Sequence, residues 1–443
     1  MVNKNDEFQL NYTKIFTSYL FLILLFYSNI NNSILISGGF MEETTISNRE
    51  LYRLPWTLPD NAISWLEPTA MCNLSCDGCY RENEKNSHKS FEEVKNELDV
   101  FAKYRNTDCI SIAGGDPLLY PQIIELVKEI KDRGLKPIVN TNGKALTKEL
   151  LHELKKAGVY GFTFHVDSKQ GRPELWRGKN ELELNELRLQ YAQMLADEGN
   201  IACSFNSTVY EDTLQYVPEM VEWAAKHIDI VQTMVFIAFR HVVPQMPFDW
   251  YAGGQKIDWQ NIMYHSDTER KIDILSTDIL RKIREKFPDF TPSAYLNGTE
   301  KADSYKWLLT ERVGTKDKIY GYLGPKFMEL MMAGHHWFKG TYLSYASPKL
   351  TRKGRSTLLM LLPFDKGIRK AAGQMLKNPF RLFKRAHMQS VMFIQPVDFM
   401  KGGEQSMCDG CPDITVHNGE LVWSCRLEEQ KRFGTFLRSV PKQ

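Results

Sequence analysis

Three cysteines set the chemistry that this chain can do. Cys72, Cys76 and Cys79 sit in the run 67–80, directly after a short strand-like stretch. Thiols at this spacing can hold three corners of an iron–sulfur cube but not the fourth. One iron then stays open to a small molecule, which points to chemistry at the cluster rather than electron storage alone. Zinc is the competing reading. Zinc sites built on a Cys-x2-Cys pair normally bring a second ligand pair at short spacing, and none follows Cys79 closely.

A second trio, Cys408, Cys411 and Cys425, lies near the other end of the sequence. Asn418-Gly419 between two β-rich runs is a two-residue hairpin signal. In that register Ile414 faces Trp423 and Val416 faces Leu421. The hairpin base then brings Cys411 and Cys425 together, with Cys408 one turn away, as a second metal site. Its fourth ligand is left open between substrate, a distant cysteine and His417; with His417 the set also suits structural zinc. Cys109 and Cys203 fall inside strand-like runs and read as small core residues.

The elements that must position these groups alternate between strand and helix. Strands are expected at 63–68, 109–113, 137–140, 160–166, 202–209 and 231–239, with helices between them. Ser90 and Glu93 form a capping box for the first helix, Thr147 caps a later one, and Gly134 and Gly158 end two of them. Six units in roughly 180 residues fit a partial (β/α)6 barrel better than a closed eight-unit one, which takes about 250. Parallel strands carry ligands at their carboxyl ends. The cysteine loop, Gly114-Gly115-Asp116-Pro117, residues 140–143, Asp167-Ser168 and Asn206 all fall there.

At this point the sequence resembles the radical S-adenosylmethionine (SAM) superfamily over roughly residues 60–240. The resemblance rests on the Cys-x3-Cys-x2-Cys loop after the first strand and on Gly114-Gly115-Asp116-Pro117 after the second, which is similar to the family's Gly-Gly-Glu-Pro. It implies a [4Fe–4S] cluster on Cys72, Cys76 and Cys79, whose open iron is chelated by S-adenosyl-L-methionine. The Gly114–Pro117 turn would receive the methionine ammonium, with Asp167, Ser168 and Asn206 as ribose or carboxylate contacts. The implied reaction is reductive cleavage of SAM to a 5′-deoxyadenosyl radical that attacks an unactivated carbon. An electron donor such as flavodoxin or ferredoxin goes with it. Two departures stand out: Gly78 occupies a position where the family often has an aromatic, and Asp116 is one methylene shorter than Glu. The C-terminal trio resembles the auxiliary-cluster domains called twitch or SPASM, which implies a second iron–sulfur cluster.

The chain has 443 residues, 43% of them apolar and 25% charged, with a formal net charge of +2. That is ordinary for a globular protein of roughly two to three domains, and no nucleic-acid partner is expected. Eight cysteines in two clusters plus two singles exclude a disulfide scaffold and suit a reducing, cytoplasmic compartment. Residues 15–27 are almost unbroken apolar sequence after Lys4 and Lys14. They are short for a membrane span, which needs about 20 residues, and suit a signal-peptide core or anchor. Equally, Met41 can be the true start, with 1–40 an upstream extension.

The remaining divisions are a barrel at 60–240, a mostly α extension at 241–400 and an auxiliary cluster domain with a cysteine-bearing β-hairpin at 401–443. Within the extension, residues 339–385 carry twelve basic residues against a lone Asp365, interleaved with apolar ones. Such a stretch can dock on an anionic membrane or cover an anionic or lipid-like substrate. A small-molecule or lipid-like substrate is favoured over a peptide. The rival function class is a non-catalytic iron–sulfur or zinc protein for electron transfer or partner binding.

Overall fold

The computed structural model describes residues 46–382 and 384–442. The apolar run 15–27 and the alternative start Met41 lie outside the described residues.

Six strands run parallel and in chain order: β1 (Ile63–Thr69), β2 (Cys109–Gly114), β3 (Lys136–Thr141), β4 (Gly161–His165), β5 (Ala202–Val209) and β6 (Thr233–Ala238). Representative pairs are Leu66 with Ile112, Val139 with Phe162 and Phe205 with Met234. Helices α1 (Phe91–Tyr104), α2 (Ile123–Asp132), α3 (Lys148–Ala157), α4 (Asn185–Glu198) and α5 (Val217–Lys226) connect them. The local signals behave as chemistry requires. Ser90 Oγ accepts the Glu93 N–H at 3.2 Å while the Glu93 carboxylate accepts the Ser90 N–H at 2.7 Å. Gly158 ends α3 at φ +105°, a conformation that costs glycine nothing. Val94, Leu98 and Phe101 of α1 are buried with Ile110 and Ile112 of β2, each contributing about 1.5–3 kcal/mol of apolar transfer.

The extension is mixed rather than mostly helical. It supplies β7 (Ala294–Leu296), β8 (Trp307–Thr315), β9 (Lys318–Leu323) and β10 (His387–Ile394), beside α6 (Ser276–Lys286), α7 (Pro325–Lys339), α8 (Pro348–Thr351), α9 (Gly354–Leu361) and α10 (Lys366–Leu376). β10 joins the free edge of β6 in parallel, pairing Met392 with Val235. β8 then runs antiparallel to β10, and β7 antiparallel to β8. The physical reason is alternation: Val391 and Phe393 sit in the hydrophobic core, while Met388, Ser390, Met392 and Ile394 line the barrel interior. Among the described residues no ladder joins β1 to β7, so the sheet is not closed.

Two segments occupy the places where closure fails. Residues 407–413 wedge into the seam between β1 and β7. There Asn61 Nδ2 donates to the Gly410 carbonyl at 3.0 Å, Thr299 N–H donates to the Met407 carbonyl at 2.9 Å, and Gly298 bridges Cys408. Residues 341–351 cross the amino-terminal end of the strands. The Ser344 N–H donates to Asp108 at 3.0 Å, Lys136 Nζ to the Tyr345 carbonyl at 3.2 Å, and the Tyr345 hydroxyl meets Thr163 Oγ1 at 3.2 Å. The hairpin β11 (Ile414–His417) and β12 (Glu420–Trp423) follows the seam segment. No helix among the described residues is long and apolar enough to cross a membrane.

Candidate active site

The loop that leaves β1 is fixed by the turn that leaves β2. Gly115 N–H donates to the Thr69 carbonyl at 2.9 Å and Asp116 N–H to the Met71 carbonyl at 2.8 Å. The two backbones approach so closely that side chains are excluded. A Cβ on Gly114 would lie 2.2 Å from the Thr69 oxygen, and one on Gly115 would lie 2.2 Å from the Met71 oxygen. The glycine pair therefore sets the take-off of the cysteine loop one residue before Cys72.

The loop is pinned further along its length. Cys72 N–H donates to Asn83 Oδ1 at 2.9 Å, and Asn142 Nδ2 sits 3.7 Å from the Cys72 sulfur. Cys76 bridges Gln170, and Cys79 N–H donates to the Cys76 carbonyl at 3.2 Å. Burial pushes all three thiols up; Asp167 adds to this at Cys76, while the Arg81 backbone and guanidinium oppose it at Cys79. Left alone they stay protonated, and a bound metal cation is what would convert them to thiolates.

The trio opens onto a cavity of about 430 Å³ that runs inside the barrel. Gly114, Gly115 and Asn206 line it together with the three cysteines. Other expected contacts are placed elsewhere. Asp116 is fully buried behind the wall, where its carboxylate accepts from Thr141 Oγ1 at 2.8 Å, Asn142 N–H at 2.9 Å and Leu118 N–H at 3.0 Å. It braces the β3 exit loop, and these three donors satisfy its buried oxygens. Pro117 starts the short turn 117–119 beside it. Asp167 is buried against His165 Nε2 at 2.8 Å, and Ser168 N–H donates to Glu181 at 2.6 Å, so both lie off the wall.

The residues that do face the cavity from those strand ends are His165, Thr208 and Tyr210. His165, the last residue of β4, was findable as a polar residue at a strand's carboxyl end. Tyr210 explains Gly78. Its hydroxyl would be 2.9 Å from a Cβ at position 78, so the ring fills the space that a side chain before the third cysteine would take. That buried hydroxyl has no hydrogen-bond partner, nor do Asn140 Nδ2 and Ser204 Oγ, which also belong to wall residues.

The second trio lines the same cavity. The hairpin register is as expected, Ile414 with Trp423 and Val416 with Leu421, and Ser424 N–H donates to the Asp413 carbonyl at 2.9 Å at its base. Cys408 and Cys411 act on each other, the pair lowering the first thiol and raising the second. His417 pairs with Glu420 at the far tip of the hairpin, about 10 Å of strand away from the base, so it does not join the three thiols. Burial pushes Cys425 up to about 12, and the Arg81 guanidinium, ion-paired with Glu67 in the wall, opposes the shift at both Cys79 and Cys425. Among the described residues, no three His, Cys, Asp or Glu side chains close up as the shell of a single metal ion. Cys109 and Cys203 are buried in β2 and β5 as core residues.

A family model described as the radical SAM superfamily matches residues 66–224, the segment that carries the first trio and both glycines. This segment is a radical SAM superfamily domain. Members of the superfamily are enzymes, and the family's cofactors are a [4Fe–4S] cluster and SAM. The chain is 32% identical over 106 residues to the tungsten-containing aldehyde ferredoxin oxidoreductase cofactor-modifying protein of Pyrococcus furiosus, covering 23% of this chain and 30% of that protein. It is 27% identical over 222 residues to the AdoMet-dependent heme synthase of Methanosarcina barkeri, covering 48% and 61%. It thus spans less than two thirds of either relative. Among solved structures, Streptococcus suis SuiB bound to the precursor peptide SuiA aligns with a TM-score of 0.38 at 15% identity, covering 53% of this chain and 46% of that one.

Proposed function

We propose that this chain is a radical SAM enzyme with two iron–sulfur sites facing one substrate cavity. Cys72, Cys76 and Cys79 would hold the catalytic [4Fe–4S] cluster, and Cys408, Cys411 and Cys425 an auxiliary one in a domain spanning about 401–443. The observation that carries this reading is the single cavity lined by both trios and by Gly114 and Gly115. The residues fit the group: three thiols on one pinned loop, beside a glycine cradle that any Cβ would fill. When bound, such a cluster supplies the electron that splits the C5′–S bond of SAM to give a 5′-deoxyadenosyl radical.

The chain's own residues do the rest. The Gly114–Gly115 backbone edge leaves room for the methionine end of SAM, and Asn206, Thr208 and His165 offer polar contacts along the wall. Asp116 holds Thr141 and Asn142 in register with the cysteine loop. Leu309, Phe327, Met331, Met332 and Leu343 make the deeper wall apolar and keep water and stray hydrogen donors away from a reactive carbon. This wall favours a substrate with an extended apolar part, lipid-like rather than peptide. It does not favour an anionic head: Glu311 and Asp413 also line the wall, and neither enters an ion pair among the described residues. A flavodoxin or ferredoxin would deliver the electron.

Anaerobically reconstituted, reduced full-length protein should release 5′-deoxyadenosine from SAM, and Cys76→Ser should abolish the release. Iron bound by all three cysteines without any release would instead make the chain a non-catalytic cluster protein.

A further inference from the structure

The amino-terminal end of the barrel, opposite the cysteine loop, is covered by α7–α10 and the segment 341–351. The ends of these elements are anchored to residues at that end. His336 Nε2 meets Asp60 at 2.8 Å and Asn106 donates to the Gly340 carbonyl, and these two partners precede β1 and β2. The carboxyl end of α10 leads into the turn 379–382, whose Arg381 lies over Tyr320, while Lys384 pairs with Asp317 in the β8–β9 turn. That turn is level with the first residue of β10, since Gly314 pairs with His387.

These elements expose large apolar side chains: Trp337, Leu376 and Phe380 by 79%, 59% and 78%, besides Leu359 by 63% and Phe338 by 42%. On the same elements and the links between them Lys339, Arg352, Lys353, Lys377 and Arg385 are exposed, and none of the five enters an ion pair among the described residues. The one acid of the stretch, Asp365, is turned inward. It is buried, and its carboxylate accepts from the N–H groups of Gly324, Phe327 and Ile368.

We propose that this end of the barrel docks on an anionic lipid bilayer, with Trp337, Leu376 and Phe380 entering the headgroup boundary and the basic ring meeting lipid charge. Bare apolar tips inside an unneutralised basic ring match that interface on both counts. A second copy of this chain would bring like charge against like. An RNA would match the charge and could stack on the two aromatics, but it would gain nothing from Leu376. The inference is independent of the cluster chemistry. If both hold, the apolar cavity opens its floor, Leu343, Tyr345 and Leu350, toward the membrane side.

The test is co-sedimentation of the full chain with vesicles of 30% phosphatidylglycerol in phosphatidylcholine, against pure phosphatidylcholine, with hydrogen exchange read on and off the vesicles. Binding is expected to need the anionic lipid, to weaken with salt and to protect residues 336–340 and 376–382. The triple variant Trp337→Ser, Leu376→Ser, Phe380→Ser should lose at least about tenfold in partitioning. Its SAM cleavage without substrate should match the wild type, which separates a failure here from a failure of the enzyme reading. Unchanged partitioning of the triple variant overturns the proposal. So does protection elsewhere in the chain, or a preference for an oligonucleotide or for self-association over vesicles.

Discussion

Replacing Gly115 by alanine tests whether the β2 turn sets the cysteine loop. The new Cβ would stand 2.2 Å from the Met71 oxygen and 2.5 Å from the Ala70 oxygen, with backbone on both sides and no flexible side chain to yield. Restoring ordinary contact means opening the first gap to at least 3.4 Å. A shift of that size breaks the Gly115–Thr69 and Asp116–Met71 hydrogen bonds, now 2.9 and 2.8 Å. Each is worth about 1 kcal/mol net, and more if its groups stay dry, so the loss should be about 2–4 kcal/mol. Gly134→Ala is the control: φ is +82° and nothing lies within 4 Å of its Cβ, so it pays only backbone strain of about 1–2 kcal/mol. Urea midpoints, iron and sulfide per chain and electron paramagnetic resonance of the reduced protein would be compared after anaerobic reconstitution. Gly115→Ala should lose the signal and iron of the first trio, while Gly134→Ala keeps both. Wild-type iron and spectrum in Gly115→Ala would refute the reasoning, because the loop would then tolerate a displaced take-off.

Cys425→Ser should lower reconstituted iron from about eight to about four per chain while leaving the first cluster's spectrum intact. Asp116→Asn replaces an acceptor that three donors share with one that presents an N–H to them. It should cost about 2–3 kcal/mol in urea unfolding and weaken SAM binding by equilibrium dialysis. Glu311 gives a pH signature, since burial lifts its carboxyl to about 7 against the hydroxyl of Ser390 and the charge of Arg312, which favour ionisation. The folded chain holds this proton from pH 4.5 to 7 while the unfolded chain does not. Its contribution is thus full below pH 4.5 and is lost as pH rises through 7, by at most about 3 kcal/mol. Glu311→Gln should therefore match wild type near pH 5 and exceed it at pH 8. Equal urea midpoints at pH 8 would count against that assignment.

Local signals were readable wherever a short segment decides its own conformation. The capping box at Ser90 and Glu93 and the Asn418-Gly419 register are of this kind. What escaped were decisions made over long separations. β10 meets β6 across some 150 residues of sequence, and nothing in either strand announces the partner. The surroundings of Asp116 and Asp167 were hidden in the same way. Their type and place suit a ligand, but strand-end amides, hydroxyls and His165 consume them first, while Thr208 and Tyr210 reach the cavity without a motif to mark them.

The wedge at 407–413 has a kinetic meaning as well. Asn61 meets the Cys411 carbonyl across 350 residues, the kind of distant closure that chains complete late. During synthesis the barrel would stand ajar for as long as that segment is missing, with the first cysteine loop accessible from the side. Pulse-labelled hydrogen exchange during refolding should find Asn61 and residues 407–413 protected last.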